Sequence, residues 1–302
     1  MEANWQAYRV ILRLHSPLHI GWGRVSYLQR VRPYVTGRTL RGALVSRIAR
    51  NKNEFGKTAG DPYRAASKTL AQFMTFTYFY PALQQASEDG ESWKAHFPWC
   101  DAPVFRRRFL SSYAATSLEY PQQTAASSLL YETEFISPYT LDDGQPVYLM
   151  GYIFVDEERL RTERYDWKGA LPRLQLGGER GYGWGEARLV EDGIRKTTES
   201  EKLFGAIRFE LNAKRPCLQL ECGQAVLAHT NSQTGCVMGQ IEPMVGREWR
   251  ANHQHQARRH IGQHLAFDDV FFVPGSRVFD ECVFEIGEGG YWQEPTSSKR
   301  EA

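Results

Sequence analysis

Residues 176–186 read Leu-Gly-Gly-Glu-Arg-Gly-Tyr-Gly-Trp-Gly-Glu, with five glycines among the nine positions that follow Leu176. Glycine permits positive φ angles and lets another backbone approach to contact distance. The interspersed Arg180, Tyr182 and Trp184 add a cation and two aromatic faces, a combination that binds single-stranded nucleic acid. The strand-like residues 187–190 follow at once. The stretch therefore predicts a loop that lies against an extended polyanion and then enters a β-strand.

The charge distribution along the chain is uneven, although the net charge of the 302 residues is only +2. The first 50 residues contain nine arginines, no lysine and one acidic residue, Glu2. Arginine favours planar, bidentate contact with phosphate. These arginines, which predict a polyanion-binding end of the protein, are Arg9, Arg13, Arg24, Arg30, Arg32, Arg38, Arg41, Arg47 and Arg50.

The composition is that of a globular protein, with 42% hydrophobic residues. The sequence contains no apolar run of about 18 residues and no signal-peptide pattern, which favours a cytoplasmic protein without membrane contact. The five cysteines include no C-x-x-C pair, so we expect reduced thiols.

Hydrophobic periodicity places a strand and a helix near the N-terminus. Apolar and polar residues alternate over 8–14, which is typical of a half-buried strand. A turn over 33–39 ends in Thr39 as a helix cap, and the apolar positions that follow recur at helical spacing. Because a helix N-terminus attracts anions, we expect phosphate to bind near Thr39.

The remaining pattern predicts an α+β protein of two domains. Strands are expected at 128–136 and 147–155, and a helix at 157–167. The predicted domains are 1–195, with an insertion at about 51–126 and the glycine-rich loop, and a smaller domain at 196–290. Residues 291–302 are expected to form a flexible tail.

Several motifs occur together in a fixed order along residues 16–186. They are Ser16-Pro-Leu-His-Ile-Gly21, Tyr34-Val-Thr-Gly-Arg-Thr-Leu-Arg-Gly-Ala-Leu44, Thr124-Ala125, Leu130-Tyr-Glu-Thr-Glu134 and the glycine-rich loop. In this order they resemble the signature segments of the RAMP superfamily of CRISPR proteins. The resemblance implies ferredoxin-like, RRM-type domains and a glycine-rich loop that lies against crRNA.

Because the chain continues well beyond its glycine-rich loop, it looks most like the type III subunit, III-D-like, that caps the 5′ tag of the crRNA. The resemblance then implies contact with the polymerase-like large subunit and other RAMP backbone subunits, indirect contact with target RNA, and a role in defence against foreign nucleic acid. The expected RNA-binding residues are Arg24, Arg38, Thr39, Arg41, Gly177, Gly178, Arg180, Gly181, Tyr182, Gly183, Trp184 and Arg247.

Catalysis is expected to be absent, with three alternatives. Related crRNA-processing RAMPs are metal-independent endoribonucleases, and His15 or His19 is the candidate acid or base for such a reaction. Backbone RAMPs of type III use an N-terminal aspartate to cut target RNA, but the first 53 residues contain none. A nucleotide-binding small-molecule enzyme is disfavoured because the loop lacks G-x-G-x-x-G spacing.

A group of histidines raises the question of a metal site. His253, His255, His260 and His264 lie close together in sequence, with His260 and His264 one helical turn apart. Three arginines accompany them and no cysteine completes a ligand set, so we expect no metal and no cofactor.

Overall fold

The computed structural model describes residues 3–51, 60–87, 90–121, 124–126, 129–248 and 264–295. The elements of the first part are β1 (Trp5–Leu14), β2 (Gly21–Val25), β3 (Leu28–Val31), α1 (Gly37–Asn51), α2 (Gly60–Phe73), β4 (Met74–Phe76), β5 (Tyr80–Ser87), β6 (Gly90–Ala95), α3 (Ala102–Phe109), β7 (Leu110–Ala115), β8 (Leu118–Glu119), β9 (Thr124–Ala125) and β10 (Tyr131–Ile136).

The remaining elements include the last strands of the N-terminal part of the chain, which we call the first unit, and the strands of the C-terminal unit. They are β11 (Tyr148–Asp156), α4 (Glu157–Thr162), β12 (Arg173–Gln175), a 3-10 turn (Arg180–Tyr182), β13 (Glu186–Thr197), β14 (Arg208–Glu210), β15 (Cys217–Leu220), β16 (Thr230–Asn231), β17 (Val237–Met238), β18 (Ile241–Glu248), β19 (His264–Phe272), β20 (Arg277–Val278), β21 (Cys282–Ile286) and β22 (Trp292–Gln293). No helix among the described residues is long and apolar enough to cross a membrane.

A central antiparallel sheet organises the first unit. Its strands lie side by side in the order β12, β13, β1, β11, β5 and β6, and β4 also pairs with β11. Helix α1 follows β1 in the chain and α4 follows β11, so β1, α1, β5, β11, α4 and β13 form a β-α-β-β-α-β unit. This arrangement is ferredoxin-like and confirms the predicted α+β class.

The apolar residues of β1 alternate between the two faces of the central sheet. Val10, Leu12 and Leu14 are buried in a core with Leu40 and Leu44 of α1. Helix α1 begins two residues before the predicted cap Thr39, because the Thr36 hydroxyl accepts a hydrogen bond from the Thr39 N–H (3.3 Å). We call the face of the sheet opposite α1 and α4 the open face.

The segment predicted to be an insertion, 51–126, instead supplies strands of the central sheet. β4 and β5 pair with β11, and β6 pairs with β5. Phe76, Tyr78 and Tyr80 are all fully buried. Thr75 and Thr77 are buried as well, so the segment lacks the alternation of buried and exposed residues that marks a half-buried strand.

A second, smaller sheet forms beside the end of β1. Its strands lie in the order β2, β3, β10 and β7, and β3 runs parallel to β10. The hairpin β2–β3 comes from the link between β1 and α1, whereas β7 and β10 come from the link between β6 and β11. Two separate excursions of the chain thus meet in one sheet.

The C-terminal unit is a seven-stranded sheet that packs on the open face of the central sheet. Its order is β14, β15, β21, β22, β16, β19 and β18. Trp5, Tyr80 and Phe154 of the first unit share a core with Phe284 and Trp292 of the C-terminal unit. We call this contact the seam. The two helices of a second ferredoxin-like domain are not found among residues 198–248 and 264–295.

Both predicted boundaries of the C-terminal unit differ from the structure. The boundary after residue 195 falls inside β13, which continues to Thr197. The tail predicted from residue 291 is ordered at its start: Trp292 is 2% exposed and its backbone N–H donates to the His229 carbonyl (2.8 Å). A buried indole supplies the packing that a polar, terminal sequence context did not indicate. Residues 296–302 lie outside the described residues.

One pair of cysteines departs from the expectation of reduced thiols. Cys236 and Cys282 are joined as a disulfide, with their Cα atoms 6.5 Å apart. The pair is 46 residues apart in sequence, so spacing alone did not reveal it. Cys100, Cys217 and Cys222 are free.

Candidate nucleic-acid interface

The glycine-rich loop is closed at its base by hydrogen bonds to the turn that follows β1. The Gly178 N–H donates to the His19 carbonyl (2.8 Å), and the Gly185 N–H donates to the Pro17 carbonyl (2.7 Å). The Leu176 N–H donates across the loop to the Gly185 carbonyl (2.8 Å). The loop is therefore a fixed projection from the edge of the sheet.

The glycines at the base and at the tip of the loop have different roles. At the base, Gly177 and Gly185 have φ angles of +71° and +80°, and a Cβ there would collide with the carbonyl oxygens of His19 and Leu176 respectively. At the tip, a Cβ on Gly181 or Gly183 would meet nothing within 4 Å. The base glycines allow close backbone contact, and the tip glycines leave a bare surface for a ligand.

Replacing Gly185 by alanine is expected to destabilise the protein by at least ~2 kcal/mol, because the new methyl group meets the Leu176 carbonyl at a positive φ. Replacing Gly181 by alanine is the matched control and should leave the thermal midpoint unchanged. Differential scanning calorimetry of both variants measures the difference. Equal stabilities would contradict the assignment of Gly185 to the closed base.

The two aromatic residues of the loop are placed differently. Tyr182 is 75% exposed at the tip. Trp184 is half-buried, with its ring centroid 5.1 Å from that of Phe135 and 6.4 Å from that of Tyr113. Electrostatic interaction with the neighbouring Tyr182 phenol raises the pKa of Tyr131. Tyr182 thus presents an exposed aromatic ring, while Trp184 fixes the loop to the second sheet.

Four arginines surround a depression of about 250 Å³ between α1 and the loop. We call Arg47, Arg50, Arg173 and Arg180 the arginine cluster. Burial is the main cause that lowers the pKa of Arg180, and the positive charge of Arg50 lowers it further. Glu186 is the one acidic residue that lines the depression among the described residues.

The arginine cluster retains a strong positive charge after its internal pairing. Arg173 forms an ion pair with Glu186 (3.0 Å), and the Arg180 Nε–H donates to the Gly177 carbonyl (2.9 Å). Within the described part of the chain, Arg47 and Arg50 form no ion pair. Like charges held this close favour a bound polyanion.

The residues predicted at the start of α1 face the seam instead. Arg41 forms an ion pair with Glu288 of the C-terminal unit. A Cβ on Gly246 would lie 2.7 Å from a terminal nitrogen of Arg38, which places that guanidinium against β18. The structure therefore does not bring Arg38, Thr39 and Arg41 together with the glycine-rich loop.

The predicted catalytic histidines occupy unlike environments. His19 is 5% exposed, and its Nδ1 lies 2.6 Å from the Glu134 carbonyl oxygen. His15 is exposed at the end of β1, and partial burial together with the charges of Arg188 and Arg13 lowers its pKa. His19 is thus part of the wall that supports the glycine-rich loop.

Other predicted residues have local partners or lie outside the description. The Arg24 Nε–H donates to the Ser26 carbonyl in the β2–β3 hairpin (2.6 Å). The side chain of Arg247, all of His253, His255 and His260, and the side chain of His264 lie outside the described residues.

A buried polar network crosses the seam. The Arg32 guanidinium donates to Glu242 Oε1 (2.6 Å), which also lies 2.5 Å from His229 Nε2. The Tyr78 hydroxyl lies 2.7 Å from His229 Nδ1. A neutral His229 satisfies both contacts, with Nε2–H as donor to Glu242 and Nδ1 as acceptor from Tyr78.

The pKa values in this network are shifted by burial and by the ion pair. Burial lowers the pKa of His229, although the hydrogen bond to Glu242 acts in the opposite direction. Burial alone would raise the pKa of Glu242, but the His229 hydrogen bond and the charge of Arg32 outweigh it and lower the pKa to about 2.

These shifts predict that stability falls with acidification in two stages. In the unfolded chain, His229 has its ordinary pKa of 6.5 and Glu242 its ordinary pKa of 4.5, so each binds a proton at a higher pH than it does in the folded protein. Proton binding to both groups therefore favours the unfolded state as pH falls. The thermal midpoint, measured from about pH 7.5 to about pH 5.5, should drop in the wild-type protein. His229→Asn should flatten this drop, and an unchanged slope would contradict the assignment.

The comparison with protein families identifies the class of protein. A profile of the RAMP superfamily matches residues 11–188, a span that runs from β1 through the glycine-rich loop. The chain belongs to the RAMP superfamily. No curated protein matches the sequence.

Solved structures with similar chains include type III-B Cmr-β complexes studied by cryo-electron microscopy. A chain from the complex bound to cognate target RNA and AMPPnP is 13% identical, with a TM-score of 0.47 over 89% of this chain and 85% of that chain. A chain from the complex bound to cognate target RNA is 13% identical, with a TM-score of 0.41 over 61% of this chain and 96% of that chain.

Proposed function

We propose that the protein is a non-enzymatic, crRNA-binding subunit of a type III CRISPR effector. The observation that carries this proposal is the arginine cluster beside the bare tip of the glycine-rich loop. An RNA backbone that runs along the tip at Gly181 and Gly183 would bring successive phosphates to Arg47, Arg50 and Arg180. The exposed Tyr182 ring would stack on an adjacent base.

The finer part of the proposal is that the protein caps the 5′ tag of the crRNA and contacts the large subunit. The support is the C-terminal unit, which lies beyond the residues 11–188 that match the superfamily and is fixed to the first unit through the seam. A subunit at the end of an RNA-bound array has one face for the next RAMP subunit and another for a different partner. A position as a backbone subunit is the second candidate.

The absence of catalysis is also a proposal, and the placement of His19 supports it. A general base must reach the proton that it abstracts, within about 2.6–3.2 Å. Only 5% of His19 is exposed, and its Nδ1 already contacts the Glu134 carbonyl. The endoribonuclease alternative therefore depends on His15.

The test of the binding role is the RNA that the full-length protein retains when it is purified from cells that carry a CRISPR array. Sequencing should recover crRNA with a shared 5′ end, and a variant with Arg47→Ala and Arg50→Ala should retain much less of it. RNA with no enrichment of array sequences would overturn the proposal. The setting implied is the cytoplasm, with other RAMP subunits and the large subunit as partners.

The test of the catalytic alternative is incubation with labelled repeat RNA in the absence of metal. We expect no discrete product. A single cut that His15→Ala abolishes and Arg107→Ala preserves would establish an endoribonuclease and refute the non-enzymatic role. Arg107 is a suitable control because it is an exposed cation on α3, an element that contains neither histidine.

A further inference from the structure

The open face of the central sheet is only partly covered by the C-terminal unit. Beside the seam the uncovered part forms a cleft of about 820 Å³, which we call the sheet cleft. Its floor includes Arg9 of β1, Met150 and Tyr152 of β11 and Arg195 of β13, and its walls include Trp93 and Phe204. Helix α1 and the arginine cluster lie on the other side of the sheet.

The charges around the sheet cleft are mainly positive. Arg9 and Arg195 are directly opposite each other on adjacent strands. Burial is the main cause that lowers the pKa of Arg9, and the positive charge of Arg195 lowers it further. Like charges opposite each other in a sheet destabilise it unless an anion compensates them. Lys94, Arg108 and Lys202 also line the cleft.

Part of this positive charge is already compensated within the chain. Arg195 pairs with Glu201, and Arg108 pairs with Asp143 (2.7 Å). Asp101 is the one acidic residue that lines the sheet cleft among the described residues. Arg9, Lys94 and Lys202 form no ion pair in that part of the chain, so the cleft keeps a net positive charge.

Three side chains that line the cleft each have a buried nitrogen atom with no hydrogen-bond or ion-pair partner among the described residues. These atoms are Arg9 Nε, Trp93 Nε1 and His96 Nε2. Leaving a buried donor unpaired costs about 1–3 kcal/mol, so native proteins rarely leave several in one place.

Aromatic rings lie next to these charges. The Arg9 guanidinium lies 5.8 Å from the centroid of the Trp93 ring, which stands 6.1 Å from Tyr148. Phe97 and Phe204 line the same cleft, with centroids 5.8 Å apart. Cations beside half-buried aromatic faces suit a ligand that has both a phosphate and a planar ring.

We propose that the sheet cleft binds a nucleotide, with the phosphate at Arg9, Arg195 and Lys202 and the base against Trp93. The nucleotide is either free or one residue of a single-stranded RNA. RRM domains likewise stack bases on aromatic side chains of a four-stranded sheet. The site is separate from the arginine cluster, so it adds a second ligand to the proposed function.

The test is calorimetric titration of the full-length protein, freed of RNA, with AMP, adenosine and inorganic phosphate. We expect AMP to bind saturably and at least about tenfold more tightly than phosphate. The reason is that AMP has a base that stacks on an aromatic face, which phosphate lacks. Trp93→Leu, and Arg195→Ala combined with Lys202→Ala, should each abolish this difference. Lys196→Ala is the matched control. Lys196 follows Arg195 in β13, so its side chain projects from the opposite face of that strand.

No saturable AMP binding at millimolar concentration, or AMP binding that the Arg195 and Lys202 replacements leave intact, would overturn the proposal. Equal affinity for AMP and phosphate would also overturn it, because no base contact would exist. Competition between AMP and a short single-stranded RNA identifies RNA as the source of the nucleotide, and its absence identifies a free nucleotide. The variant with Arg47→Ala and Arg50→Ala should bind AMP as the wild-type protein does. This result distinguishes the sheet cleft from the proposed crRNA interface.

Discussion

Replacing Arg47 and Arg50 by alanine is expected to weaken binding of single-stranded RNA by about 30-fold. Each lost phosphate contact removes ~1 kcal/mol. The slope of log affinity against log salt should fall by about 1.4, since each contact with a single strand contributes about 0.7. The two side chains lie on the outer side of α1 beside the glycine-rich loop. Filter binding at several salt concentrations measures both quantities.

The control for this prediction is Arg161→Ala. Arg161 is also an exposed helical arginine, but it belongs to α4 and lines a different depression. Alanine favours the helix in all these positions, so the fold should be preserved. If Arg161→Ala lowers the salt slope as much as the double variant does, the binding is a general effect of charge and not of the arginine cluster.

Replacing Glu242 by alanine is expected to destabilise the protein by ~3 kcal/mol, which lowers the thermal midpoint by about 6–12 °C. The reason is that Arg32, whose side chain is 16% exposed, loses its carboxylate partner across the seam. A buried cation without a partner pays its desolvation cost without compensation. Thermal unfolding followed by circular dichroism measures the loss.

Two further variants separate this ion pair from a general effect. Glu281→Ala removes an exposed carboxylate of the same unit and should leave the midpoint unchanged. Arg32→Met combined with Glu242→Leu removes both charges and should recover much of the lost stability, because no unpaired ion remains. A double variant as unstable as Glu242→Ala would show that packing, not charge, dominates at this position.

The sequence predicted the ferredoxin-like strands whose two faces differ in polarity. β1 alternates between Arg9 or Arg13 and the core residues Val10, Leu12 and Leu14, so its period of two is visible. β4 and β5 were missed because Met74, Phe76 and Tyr80 are buried irrespective of the face that they occupy. The register of β11 against β4, which a single sequence does not contain, decides their conformation.

The candidate site was predicted in part for a similar reason. The glycine-rich loop is a local motif, and its backbone geometry depends mainly on its own residues. The choice between the arginines of α1 depended on tertiary contacts: Arg41 turns to Glu288, whereas Arg47 and Arg50 face the loop. The helical spacing of 47 and 50 relative to the buried Leu40 and Leu44 was the available signal.

The close approach of Gly37 and Gly290 has a mechanical consequence. A Cβ on Gly37 would lie 2.8 Å from the Gly290 Cα, so the first turn of α1 and the turn before β22 touch backbone to backbone. No flexible side chain lies between the two backbones at this contact to absorb a displacement. The two units therefore resist sliding or rotating about it. A force applied to the C-terminal unit would therefore be transmitted directly to α1, which positions Arg47 and Arg50.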